Sequence, residues 1–139
     1  MNYKNIIVSR ILLVDGILLI IIAFIHILTT PIVGKWFAHD VSVETLSQFV
    51  PSALVNQLVG ILLIPFGISM LYCAMGIRAG QHFTRIIALI NAGAVIVIPL
   101  LILFLMGPEY LNSTFILVAD IIMAFIGVSM FILLLWLRD

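Results

Sequence analysis

Charge is what this sequence has least of. Only 9% of its 139 residues are Asp, Glu, Lys or Arg, against about a quarter in an ordinary soluble domain. Six basic and six acidic residues cancel to a net charge of zero, so no bulk attraction to nucleic acid follows. A single cysteine, Cys73, excludes an internal disulfide and any multi-cysteine metal site. The chain has no G-x-S-x-G, no glycine-rich phosphate loop and no H-E-x-x-H. The commonest signatures of nucleophilic catalysis, nucleotide binding and zinc proteolysis are therefore missing.

What remains is apolar. Hydrophobic residues make up 65% of the chain and its mean hydropathy is +1.39. A soluble domain of this length has no interior large enough to hide that surface, which leaves a multi-span membrane protein as the class. Four apolar runs, at about 6–30, 52–77, 83–106 and 114–137, each approach the ~20 residues that cross a hydrocarbon core. The first contains Asp15 and the last Asp120. One central Asp costs about 2.5–3.5 kcal/mol on insertion, while a dozen Ile, Leu, Phe and Val at about −0.3 to −0.6 kcal/mol each outweigh it. Lys4 and Arg10 before the first run resemble a signal peptide, but the run is too long and no A-x-A-like site follows it. It reads as a retained span. The expected fold is an all-α, four-helix antiparallel bundle in one domain, 1–139.

The longest connection, PIVGKWFAHDVSVETLSQFVP, predicts a short amphipathic helix lying on the outer surface. Asp40 or Ser42 caps it, and Val43, Leu46, Phe49 and Val50 share one side. Trp36 and Phe37 fit headgroup level. Pro51 suits the first turn of span two, and Pro65 predicts a kink. Small and polar residues recur at helical spacing: Ala53, Asn56, Gly60, Gly67 and Ala74 in span two, Ala88, Asn91, Ala92 and Pro99 in span three, and Asp120, Ala124 and Gly127 in span four. Such stripes permit close helix contact, within the bundle or between protomers. Lys4, Arg10, Arg78, Arg85 and Arg138 fall on one side of a four-span hairpin and only Lys35 on the other. The positive-inside rule then puts both termini in the cytoplasm, with the chain in the cell inner (plasma) membrane.

With that threading, a rise of ~1.5 Å per residue predicts two polar layers. His26, Asn56, Gln57 and Asp120 fall in an outer one, some ~8–12 Å beyond the midplane. Asp15, Asn91 and Ser129 fall in an inner one, ~5–6 Å to the other side. Asp15 and His26 share a face of span one, eleven residues apart, yet this separates them by ~16 Å. Ionisable groups at such depths face the bundle interior or an aqueous pocket and find partners there. The expected pairs are His26 with Asp120 and Asp15 with Asn91. The competing reading is interhelical hydrogen-bond glue worth about 1 kcal/mol or less, and it suits Asn91 and Ser129 best.

Other chemistry is weaker. His26 and His82 lie at opposite ends of the bundle and do not bracket one haem. His26, His39 and Asp120, with Glu44 or Glu109, supply nitrogen and oxygen ligands, but nothing in their spacing fixes a metal, and no metal or cofactor is expected. Cys73 reads as a packing residue. Asn112-Ser113-Thr114 matches a glycosylation acceptor, but capping of span four explains it better. At HILTTPIVGKW and VNQLVGILLIPFG the chain resembles small prokaryotic four-helix membrane proteins of the DoxX-like kind. That resemblance implies a compact bundle in a prokaryotic membrane, tied to redox chemistry as in some DoxX-like proteins.

The leading expectation is a non-enzymatic protein that binds a small amphipathic or lipid-like ligand. The ligand would occupy an outward-opening pocket lined by His26, Asn56, Gln57, Asp120 and Asp15. The alternatives are an accessory subunit of a membrane redox complex, a small proton-coupled transporter, and an enzyme using His26 and Asp120 as acid and base. Lipid, and a second copy or a larger membrane complex, are the expected partners.

Overall fold

The computed structural model describes the backbone of residues 3–38, 43–106 and 114–137, and the side chains of residues 3–30, 53–104 and 117–137. The described residues form four helices, α1 (Tyr3–Ala38), α2 (Val43–Arg78), α3 (His82–Met106) and α4 (Thr114–Trp136), and no strand. Each is long and apolar enough to cross a membrane, over Tyr3–Thr30, Ala53–Arg78, His82–Phe104 and Leu117–Trp136.

Much of this sequence is Ile and Val, whose branched side chains disfavour a helix in water by a few tenths of a kcal/mol per residue. In hydrocarbon each unsatisfied backbone group costs several kcal/mol. The second effect is larger by an order of magnitude, so the helix wins. Two helices also run past their expected ends. α1 continues through Pro31 to Ala38. α2 begins at Val43, so Val43–Val50, expected as a separate surface helix, form its first turns. Pro51 then lies inside α2 rather than at its start.

Contacts run around a ring, α1 to α2, α2 to α3, α3 to α4 and α4 back to α1. Among the described residues the backbones of α1 and α3, and those of α2 and α4, stay apart across the diagonals. The α1–α2 seam is the most extensive and the α1–α4 seam the sparsest. Neighbours run antiparallel: Gly16 meets Gly67 and Leu71, while Ala23 and His26 meet Gly60. The α2–α3 turn is closed by Gly80 at φ +79°, with Gly80 N–H donating to Ile77 O (3.0 Å) and Gln81 N–H to Gly76 O (2.9 Å). This is a Schellman cap, and its left-handed residue favours glycine.

The surface is apolar as well as the core, and polar side chains are found inside. On α1, Val8, Leu12, Asp15, Leu19, Ala23, His26 and Thr30 are buried at steps of three and four residues, which is one helical face. The opposite face exposes Leu13, Val14, Ile17, Leu18, Ile21, Phe24, Ile25 and Leu28. The interior is filled by Leu12, Leu19, Leu63, Met70, Met123, Met130 and Leu134, all fully buried.

Two glycines set the α1–α2 distance. A Cβ on Gly16 would stand 2.9 Å from Gly67 O, and one on Gly67 would stand 2.8 Å from Gly16 O. Both clashes are with backbone, so no rotamer change relieves them. Gly67→Ala is expected to lower stability by about 1–3 kcal/mol, read from unfolding in detergent. Gly93, where an added Cβ meets nothing within 4 Å, is the control. Gly93→Ala is expected to leave stability unchanged or raise it by about 0.5–1 kcal/mol.

Candidate functional site

The close α1–α2 seam brings the side chain of Asn56 to the backbone of α1. Its amide Nδ2 donates to His26 O at 2.9 Å and to Thr30 Oγ1 at 2.8 Å. Its Oδ1 lies 2.6 Å from His26 Nδ1. Thr30 Oγ1 in turn donates to His26 O at 2.7 Å.

These contacts determine a proton position. A backbone carbonyl only accepts, so the Asn56 group facing His26 O is its NH2. Oδ1 therefore faces the imidazole, and a carbonyl oxygen requires a donor there. His26 Nδ1 carries the hydrogen and Nε2 keeps the uncommitted position. Asn56 acts here as a positioning residue, holding one ring orientation and one tautomer.

Asp120 comes from α4, whose interior face runs Asp120, Met123, Ile126, Met130 and Leu134. It is buried, and His26 lies close enough to act on it electrostatically. Among the described residues Asp120 makes no hydrogen bond. The pair expected from depth thus comes within electrostatic reach, with the imidazole tied to Asn56 instead of to the acid. Gln57 is exposed and outside this network, because one residue along a helix turns ~100° away.

The inner layer does not assemble as expected. Asn91 Nδ2 donates to Ser69 Oγ at 2.6 Å rather than to Asp15. The reason is the ring order: α1 and α3 lie across the diagonal, whereas α2 and α3 are neighbours. Equal depth is not contact. Ser129 Oγ donates to Ile126 O of its own helix at 2.8 Å. Asp15 is left buried with Oδ2 unpartnered. Ser69 was missed, although the turn at 79–81 contains the signal. Residues of α2 and α3 whose numbers add to about 160 stand opposite each other, as Gly76 and Thr84 do. Ser69 also lies within hydrogen-bonding reach of Cys73.

At the end of the bundle away from His26, Lys4 Nζ sits over the Trp136 ring, 5.1 Å from its centroid. This clasps α1 to α4 where their seam is otherwise sparse. No group of three or more His, Cys, Asp or Glu assembles among the described residues. The side chains of Trp36, Phe37, His39, Asp40, Ser42, Glu44, Glu109, Asn112 and Ser113 lie outside the described residues, and with them the amphipathic-face, headgroup, capping and further metal-ligand expectations.

The arrangement offers three chemical handles at one level: an oriented imidazole with Nε2 open, a buried carboxyl group, and an amide that locks the first. Asn56→Ala is expected to cost about 1–3 kcal/mol, because it leaves buried partners unsatisfied. Histidine 15N NMR of the detergent-solubilised protein is expected to show the Nδ1-protonated form of His26 in wild type and a tautomer mixture in the variant. Asp15→Ala is expected to raise stability by about 1–3 kcal/mol, since it removes an unsatisfied buried group; unfolding that is easier than in wild type would show that Asp15 has a partner.

Compared with known proteins, the chain matches no family model, no curated protein and no solved structure.

Proposed function

We propose that this chain is a multi-pass protein of a prokaryotic inner membrane, of the DoxX-like kind, with both termini in the cytoplasm. Its function is to bind a small amphipathic, lipid-like molecule at its outer end. The polar head of the ligand lies between His26 Nε2 and Asp120, and its tail lies along the α1–α4 seam.

One observation carries this reading. The Asn56 clamp commits one imidazole nitrogen and leaves the other open, with a buried carboxyl group nearby that makes no hydrogen bond among the described residues. In a purely structural polar layer the imidazole and the acid would bond to each other or to their neighbours. Two further features support the reading. His26 and Asp120 flank the sparsest seam of the ring, where an amphiphile enters sideways from lipid with least repacking. The basic residues Lys4, Arg10, Arg78, Arg85 and Arg138 cluster toward one end against Lys35 alone, which orients the His26 end outward.

Native mass spectrometry of the gently solubilised protein tests this. The expected result is a bound species of lipid-like mass on wild type and on Gly93→Ala, reduced about tenfold or more in His26→Ala and Asp120→Asn, as loss of a charged hydrogen-bond partner worth about 1.5–3 kcal/mol requires. A bare wild-type monomer sinks the proposal. Co-purification of larger subunits with no bound small molecule replaces it with the accessory-subunit reading.

A further inference from the structure

A second feature lies at the opposite end of the bundle, where α3 begins and α4 ends. A groove of about 340 Å3 is lined by His82, Arg85, Ile86, Leu89 and Leu135. That volume falls at the lower end of the ~300–1,000 Å3 of small-molecule sites. No carboxylate lines it.

The order of residues along α3 matters. His82 opens the helix, Arg85 follows less than a turn later, and Ile86 and Leu89 lie progressively deeper toward the middle of the span. Leu135 supplies the wall from α4. The groove therefore grades from basic at the membrane boundary to apolar inside, along the direction in which a phospholipid lies. His82, Ile86 and Leu135 are exposed, so the groove opens to the side as well as the end. Arg85 Nε donates to Leu134 O at 2.9 Å. This anchors the guanidinium at the mouth while its terminal N–H groups, which have no other partner among the described residues, point to a bidentate acceptor as ligand. Arg78, exposed at the end of α2, adds positive charge at the same end. No acid on α1, α2, α3 or α4 is described near this end; Asp15 and Asp120 lie deeper in the bundle.

We propose that this groove is a binding site for an anionic phospholipid. The phosphate sits against Arg85 and His82, and an acyl chain lies along Ile86, Leu89 and Leu135. A free inorganic anion would use the basic mouth but gain nothing from the apolar run. A zwitterionic lipid would use the run but bring its own cation to a basic mouth. The site shares no residue with His26, Asn56 or Asp120 and stands apart from the ligand proposed there, although both rest on the chain spanning a membrane.

Native mass spectrometry of the full chain, titrated separately with phosphatidylglycerol, with phosphatidylcholine of the same acyl chains and with inorganic phosphate, tests the assignment. Phosphatidylglycerol is expected to be retained in preference to phosphatidylcholine. Arg85→Gln is expected to weaken it about fivefold, as loss of one basic residue near an anionic headgroup requires, and Arg85→Lys to restore only part of the binding, because an ammonium keeps the charge but loses the fork. His82→Ala and Leu135→Ser, both at exposed positions, are each expected to weaken the lipid, and they carry the test should Arg85→Gln not fold. Equal retention of the two lipids overturns the proposal. So does phosphatidylglycerol binding that none of these substitutions changes. Binding of inorganic phosphate as tight as that of the lipid, unchanged by Leu135→Ser, overturns it in favour of a simple anion site.

Discussion

The backbone-to-backbone approach of α1 and α2 at Gly16 and Gly67 is the contact on which the rest of the bundle depends. Lipid tails are as apolar as leucine, so burying leucine between helices gains little over leaving it in the bilayer. What remains is van der Waals packing, which falls off within an ångström. Glycine in both helices lets the two backbones close to that range, and Gly60 repeats the arrangement near Ala23 and His26. From there, Asn56 reaches the carbonyl of His26 on the facing helix. The hydrogen-bonded clamp is thus a consequence of small residues several turns away.

The clamp has a further consequence for how polar groups are distributed. Asn56, Thr30 and His26 satisfy one another, Asn91 and Ser69 do the same, and Ser129 turns back on its own helix. Among the described side chains the two acids are the exceptions. Among the described residues Asp120 lies within electrostatic reach of His26 without a hydrogen bond, and Asp15 Oδ2 has no partner. An unsatisfied buried group costs about 1–3 kcal/mol, a large fraction of the marginal stability of a small domain. Packing does not account for either acid, which is why the functional reading gathers at the end where an acid, an oriented imidazole and the loosest seam coincide.

Depth along the helices does not by itself decide which polar residues meet; helix adjacency also decides. His26 on α1 hydrogen-bonds to Asn56 on the neighbouring α2 and lies within electrostatic reach of Asp120 on the neighbouring α4. Asp15 and Asn91 sit on α1 and α3, across the diagonal, and equal height brought them no contact. Gln57 is exposed for a different reason: it points ~100° away from Asn56. Ser69 was legible in principle, because the glycine-closed turn at residues 79–81 sets the register of the α2–α3 hairpin. Val43–Val50 was read correctly as helical, but its fusion to α2 through Pro51 was not.

Composition and hydropathy by themselves determined the all-helical class, the four apolar helices and their approximate limits. Those properties follow from the cost of unsatisfied backbone in hydrocarbon, which acts on each segment alone. They also narrowed the candidate site to a few ionisable and amide side chains. Only the tertiary structure decided which of these meet, because ring order, helix rotation and the glycine contacts depend on all four helices packing at once. It was packing that gave Asn56 to His26, gave Ser69 to Asn91 and left Asp15 alone. Interhelical partnership is a property of pairs, and no single segment carries it.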